Sequence, residues 1–174
     1  MSTENTSEPK IYTLVSKDEK EFQITDKAIR HSKTLETLVG HCDFYTEGQK
    51  MDPIPVANIH SKYLQMVIRW CEYHKDDKLK PEEVLPQNVD VPQWDSNFIP
   101  SDNEDLFQLM CAVNYLDIGE LMNYCCKKVS DLAKGRSPED LRVLFGIPSD
   151  AEDEENNQAE EEANKNRAEK KVAK

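Results

Sequence analysis

The first apolar pattern along the chain has a period of two residues. Alternation runs over residues 11–16 and resumes at residues 22–24 after a charged turn. Because alternation interrupted by a short polar turn is typical of a β-hairpin, residues 10–25 are predicted to form one. The segment Pro53–Val56 is predicted to be a short edge strand, since its prolines cannot donate hydrogen bonds to a central ladder.

Two short helices are predicted between the hairpin and the edge strand. Thr25 or Asp26 can cap the first, which begins near Lys27. The second covers Thr34–Val39 and is predicted to end at Gly40. Residues 41–50 are predicted to be irregular.

From His60 onward the apolar period becomes helical. One stripe of the predicted helix is apolar and the opposite side is polar. The stripe consists of Tyr63, Leu64, Val67, Ile68, Trp70 and Cys71. The helix is predicted to end in residues 74–77, and a loop containing Pro81, Pro86 and Pro92 follows. A loop this long in a compact domain is typically functional or mobile, and we predict a mobile loop at 75–93.

Three further helices are predicted in the second half of the chain. The first, Glu104–Leu116, is apolar around nearly its whole circumference and must therefore be covered on several sides. The second covers residues 117–134, with Asp117 as its cap and Gly135 after its end. The third begins at the sequence Ser-Pro-Glu-Asp of residues 137–140, in which Ser137 can cap and the acids favour the positive helix end. It is predicted to end at Gly146.

The last two of these helices carry a surplus of apolar side chains. Together they present at least eight large apolar residues, and the tail that follows cannot cover them. They either bind a partner or fold back to complete one core, and periodicity leaves both interpretations open.

The two ends of the chain have the composition of disordered segments. Residues 150–162 hold eight acidic residues and no apolar residue larger than alanine. We predict residues 148–174 to be disordered, or a fraying polar helix, and residues 1–9 to be a flexible tail without a secretory signal.

Overall charge and cysteine content restrict the classes of partner. The formal net charge of −12 argues against nucleic acid and anionic membranes as partners, and no apolar run is long enough to span a bilayer. An odd number of cysteines within apolar patterns predicts reduced thiols and a cytoplasmic and nuclear location. The five are Cys42, Cys71, Cys111, Cys125 and Cys126.

No motif of an enzyme or a metal site stands out. The chain has only five glycines and lacks a nucleophile elbow, a phosphate-binding loop and a zinc-protease motif. Cys71 and His74 are three residues apart, but the simpler interpretation is a core cysteine beside a helix-end histidine. Zinc would need a second correctly spaced pair. No catalytic residue, metal or cofactor is therefore predicted.

Four ordered motifs, in contrast, resemble those of one family. They are Val67–Asp77, the Pro-Trp-Asp segment Val91–Ile99, the pentapeptide Asn114–Ile118 and Lys134–Ile147. They are similar to the motifs of the S-phase-kinase-associated protein family, the F-box-binding adaptors of SCF ubiquitin ligases. The resemblance implies an α/β (α+β) BTB/POZ-like fold over residues 10–118. It also implies that the helices at 119–147 bind F-box proteins.

The resemblance also implies the partners and the residues that bind them. Asn114 and Tyr115 would bind the N-terminal domain of a cullin. The F-box-binding residues would be Leu106, Phe107, Met110, Met122, Cys126, Val129, Leu141, Phe145 and Ile147. A RING protein and a ubiquitin-conjugating enzyme would be indirect partners, and the adaptor would act by positioning, without catalysis. A paralogue that binds F-box proteins without a cullin, another BTB-type scaffold and weak self-association of the free protein remain open.

The tail departs from the family pattern. Family members usually add a last acidic helix with a few apolar residues, whereas Ala151, Gln158 and Lys165 occupy the corresponding stretch here. We therefore predict weaker or more selective F-box binding than is usual in the family.

Overall fold

The structure is a computed structural model that describes residues 10–41, 52–79 and 89–150, together with 153–154, 157–159 and 165. Several predicted segments lie outside the described residues: the N-terminal tail, Cys42 and the rest of residues 42–50 from the segment predicted to be irregular, the middle of the predicted mobile loop, and most of the acidic tail. The chain divides into two compact units, Met1–Asp131 and Leu132–Lys174.

Three strands and seven helices make up the regular structure of the described residues. In chain order they are β1 Ile11–Ser16, β2 Glu21–Thr25, α1 Asp26–Ile29, α2 Lys33–His41, β3 Ile54–Val56, α3 Ser61–His74, α4 Gln93–Phe98, α5 Asn103–Tyr115, α6 Gly119–Ala133 and α7 Pro138–Phe145. The predicted mixed α+β class is confirmed.

The three strands form one small sheet in the order β2-β1-β3. β1 and β2 are antiparallel, with Leu14 opposite Phe22, which confirms the predicted hairpin. β3 runs parallel to β1, with Leu14 opposite Ile54. As predicted, β3 is an edge strand, and the side chain of Pro55 is exposed between two buried neighbours.

Helix α3 lies at the centre of the first unit and packs against α1, α5 and β2. Its predicted apolar stripe is buried, apart from Tyr63, which is half-buried. The largest fully buried side chains are Trp70, Tyr124, Leu14, Ile24, Leu35, Leu64, Leu106, Leu109, Leu116, Ile118, Leu121 and Val56. Burying one such apolar side chain stabilises the fold by roughly 1.5–3 kcal/mol, so this cluster is the main source of stability of the unit.

Two local predictions were wrong, and one helix was missed. Gly40 lies inside α2, which continues to His41. Asp117 does not cap α6, because it adopts a left-handed backbone with φ 51° in the turn that follows α5. Helix α4 was not predicted at all: it is short, and tertiary contacts described below hold it in place.

The second unit begins near the end of α6 and contains α7. The start of α7 is as predicted, since Ser137 Oγ accepts a hydrogen bond from the Asp140 backbone N–H at 3.1 Å. Its end is also as predicted: Gly146 is left-handed, and the Ile147 N–H donates to the Arg142 carbonyl at 2.9 Å. The described residues beyond residue 149 are helical. No helix in the described part of the chain is long and apolar enough to cross a membrane.

Candidate partner-binding surfaces

The predicted cullin-binding residues lie in the last turn of α5. Asn114 is exposed, and Tyr115 is 41% exposed despite its large ring. Leu116 and Ile118, which follow directly, are buried in the core of the first unit. The buried pair therefore anchors the turn, while Asn114 and Tyr115 present a polar and an aromatic side chain to solvent.

The turn after α5 is also held by hydrogen bonds from the residues at the start of α2. Ser32 Oγ donates a hydrogen bond to the Leu116 carbonyl at 2.5 Å. Thr34 Oγ1 donates to the Tyr115 carbonyl at 3.1 Å, and the Lys33 N–H donates to the Asp117 carbonyl at 3.3 Å. Sequence patterns gave no sign of this contact, which joins segments more than 80 residues apart.

The predicted F-box-binding residues on α5 differ in their exposure. Phe107 and Met110 are half-buried and so keep part of their surface available. Leu106 is 0% exposed and lies in the core of the first unit. A partner could therefore contact Leu106 only by displacing the residues that cover it.

Helix α6 has one face in the core and another that is more open. Leu121, Tyr124 and Cys125 are buried. Among the predicted F-box-binding residues of this helix, Met122 and Val129 are half-buried and Cys126 is exposed. The helix therefore keeps apolar surface available after it has packed against its own unit.

Helix α7 has the most exposed apolar side chains of the candidate surfaces. None of its eight residues, all of them described, is buried. The predicted residues Leu141 and Phe145 are half-buried, and Ile147, just after the helix, is 51% exposed. Val143 is 84% exposed and was missed, because it lies off the stripe that the helical period selects.

His74 belongs to a buried polar network and not to a catalytic pair. Its Nδ1 lies 2.6 Å from Asp77 Oδ2, and its Nε2 lies 3.0 Å from Asp95 Oδ1. Trp70 Nε1 donates to the same Asp95 oxygen at 2.7 Å. Burial raises the pKa of the Cys71 thiol far above its usual range, so Cys71 is not a thiolate nucleophile.

The same network holds α4 in place. The rings of Tyr73 and Trp94 stack with their centroids 3.7 Å apart, and Trp94 stacks on Phe98 at 5.1 Å. Asp95, from the same short helix, is completely buried. The sequence showed the Trp-Asp pair only as a motif, without its partners.

Cys125 is the second buried thiol among the described residues. Burial raises the pKa of Cys125 to about 12, so this side chain remains a neutral apolar group at physiological pH. Within the described ranges, no three His, Cys, Asp or Glu side chains are grouped so as to hold a metal ion.

Comparison with known proteins shows which family this chain matches. Residues 10–76 match the tetramerisation (POZ) domain of the Skp1 family, and residues 119–171 match its dimerisation domain. The suppressor of kinetochore protein 1 of Schizosaccharomyces pombe is 35% identical over 154 residues, which cover 86% of this chain and 92% of that protein.

The chain belongs to the Skp1 family.

Two further relatives agree with this membership. A Skp1-related protein of Caenorhabditis elegans is 36% identical over 153 residues, covering 86% of this chain and 87% of that protein. The E3 ubiquitin ligase complex SCF subunit sconC of Arthroderma benhamiae is 36% identical over 158 residues, covering 86% of this chain and 91% of that protein. The predicted resemblance and the predicted POZ-like fold are confirmed. The Skp1 match to residues 119–171 also includes most of the acidic tail.

Proposed function

We propose that this Skp1-family protein is the non-catalytic adaptor subunit of an SCF ubiquitin ligase, acting in the cytoplasm and nucleus. It bridges a cullin N-terminal domain to F-box substrate receptors. One observation carries the proposal: α7 is a well-capped helix with no buried residue, and its Val143 side chain is 84% exposed. A relative that is named as an SCF subunit supports the assignment.

The F-box end of the proposal rests on exposed apolar area. Val143 and Ile147 are 84% and 51% exposed, and Cys126 on α6 is exposed as well. Burying a large apolar side chain in an interface contributes roughly 1.5–3 kcal/mol before the costs of association. An F-box helix that covers Val143 and Ile147 would complete an interface resembling a domain core divided between two chains.

The cullin end of the proposal rests on Asn114 and Tyr115. Tyrosine is enriched at interface centres, because its ring supplies apolar area and its hydroxyl can form a hydrogen bond. The buried residues that follow fix the backbone of the turn, so little backbone ordering remains to oppose binding. The adaptor would then act by holding the substrate receptor in a fixed place relative to the ligase's catalytic end.

Paired substitutions test the two ends separately. The double variant Asn114→Lys/Tyr115→Lys should lose cullin binding and keep F-box binding. Val143→Asp/Ile147→Asp should do the reverse, and so should Phe107→Ala/Phe145→Ala, which removes the two aromatic anchors. The readout is the dissociation constant for each purified partner. Leu79→Asp is the matched control, because Leu79 is 52% exposed and lies outside both surfaces.

The outcomes distinguish the candidate roles. Selective loss at each end supports the bridging adaptor. F-box binding without any cullin binding by the unsubstituted chain would indicate a paralogue that acts outside ubiquitylation. Binding of neither partner would contradict the proposal.

A further inference from the structure

Three successive carbonyl groups at and just after the end of α5 are paired with a single short segment of the chain. Three successive residues, Tyr115, Leu116 and Asp117, offer their carbonyls, and three successive residues, 32–34, donate to them. The last carbonyls of a helix have no partner within the helix and carry its partial negative charge. The start of α2 meets this negative end with hydroxyl and N–H donors.

The Ser32 hydroxyl forms one hydrogen bond with α2 and another with the residue that follows α5. Its hydroxyl accepts a hydrogen bond from the Leu35 N–H at 3.1 Å, as an N-cap of α2 does, and it donates to the Leu116 carbonyl at 2.5 Å. Its side chain is completely buried. The start of α2 and the end of α5 are therefore joined through one oxygen atom.

Thr34 makes the contact closest to the proposed cullin-binding residues. Its hydroxyl donates to the carbonyl of Tyr115 itself. The peptide group that contains this carbonyl and the Tyr115 side chain are both attached to the Tyr115 Cα atom. A hydrogen bond that fixes the orientation of the peptide group therefore restricts the directions in which the side chain can point. Asp117, two residues later, has a left-handed backbone, and its N–H and carbonyl are hydrogen-bonded to the Asn114 carbonyl and the Lys33 N–H.

We propose that Ser32 and Thr34 are positioning residues for the cullin contact. They hold the end of α5 so that Asn114 and Tyr115 are presented in one orientation, and they need not touch the cullin. This inference rests on the proposed function. It adds a part of the chain, the start of α2, that neither the sequence motifs nor the predicted site residues included.

Thr34 offers a clean test because it is only partly buried. Thr34→Val removes the donor and keeps the shape, whereas Thr34→Ser keeps the hydroxyl. Thr34→Val should weaken cullin binding roughly three- to tenfold, which is the effect of losing one hydrogen bond. Thr34→Ser keeps the hydroxyl and should therefore retain most of the cullin affinity of the unsubstituted chain. Thr37→Val is the matched control, because Thr37 is an exposed residue of the same helix.

Two further readouts separate positioning from general stability. F-box affinity should be unchanged in Thr34→Val, and amide hydrogen exchange in the free protein should accelerate at residues 114–118 more than in the sheet. Ser32→Ala should lose more cullin affinity and show faster exchange at residues 114–118 than Thr34→Val, again with unchanged F-box affinity. If Ser32→Ala does not fold, the Thr34 variants alone test the inference.

Cullin affinity of Thr34→Val equal to that of the unsubstituted chain would overturn this inference and leave the proposed function standing. An equal loss of F-box affinity would overturn it too, because the effect would then be one of general stability. Failure of the unsubstituted chain to bind a cullin would overturn both.

Discussion

Asp95 accepts a hydrogen bond from the indole N–H of Trp70 at 2.7 Å, and both side chains are completely buried. The same carboxylate oxygen lies 3.0 Å from His74 Nε2. Its other oxygen, Oδ2, has no hydrogen-bond partner among the described residues. A buried carboxylate is tolerated only when donors compensate for its lost hydration, so this pairing is central to how α4 is attached to α3.

Asp95→Ala should therefore destabilise the protein strongly. It leaves the buried Trp70 N–H without its acceptor and removes the contact to His74, and a buried donor left unsatisfied typically costs about 1–3 kcal/mol. The free energy of unfolding from urea titration checks this. Asp90→Ala is the control, since Asp90 is exposed and precedes the same helix. A loss below about 1 kcal/mol for Asp95→Ala would show that the network contributes little.

A second prediction concerns Asp18 and pH. The Asp18 carboxylate accepts two hydrogen bonds from Ser61, one from its hydroxyl at 2.7 Å and one from its backbone N–H at 2.7 Å. These two bonds, the hydroxyl's more than the N–H's, hold the pKa of Asp18 well below its usual range. The hairpin turn thereby caps the start of α3, where His60 makes no side-chain cap. Since the folded pKa is lowered, the stabilisation is fully present above about pH 4 and is lost as pH falls further.

Asp18→Asn should accordingly flatten the fall in stability between about pH 4 and pH 2, and it should lower stability at pH 7. Urea midpoints measured at pH 7, 4 and 3 test both parts. Asp52→Asn, at an exposed position, should leave the pH profile unchanged. Parallel profiles for the unsubstituted chain and Asp18→Asn would contradict the assignment of this acid-sensitive contact to Asp18.

A third prediction concerns the cap of α7. Ser137→Ala removes the acceptor of the Asp140 N–H, and losing such a cap costs about 0.5–2 kcal/mol of helix stability. If the helix must be formed to bind the F-box, affinity should fall by up to the same amount, while cullin affinity should not change. Ser137→Asp keeps a capping acceptor and should retain binding. Equal F-box affinity of Ser137→Ala and the unsubstituted chain would mean that the partner itself imposes the helix.

A fourth prediction concerns the acidic tail. It lacks the apolar residues of a usual last helix, so F-box binding should be weaker or more selective than in typical family members. Replacing residues 150–165 by an acidic helix with three apolar positions should tighten binding measurably in a titration. A matched graft with serine at those three positions should not. No gain from the apolar graft would contradict the prediction.

The sequence predicted those parts of the fold that local period and capping determine. The hairpin, α3 and the cap of α7 follow from patterns within a few residues of each other. Contacts between distant segments could not be predicted in this way. The Asp18–Ser61 cap joins residues 43 positions apart, and the pairing of Ser32 with Leu116 spans 84.

The exposure of the candidate binding residues could also not be predicted from local sequence patterns. Helix α5 is apolar on nearly all sides, so periodicity alone could not decide which of its faces enters the core. Leu106 was assigned to a partner surface on family resemblance, yet it is completely buried. Val143 was passed over because it lies off the apolar stripe of α7, yet it is 84% exposed. Exposure depends on which neighbours pack against a helix, and that information is absent from its own sequence.

The proposed function requires this chain to join a cullin and an F-box protein in one complex. Mixing it with a purified cullin N-terminal domain and an F-box segment, followed by size-exclusion chromatography with light scattering, tests the claim directly. A bridging adaptor gives one peak with the summed mass of all three chains, and this peak disappears when the chain is left out. Two separate binary complexes that never combine, or no complex with the cullin, would contradict the proposed function.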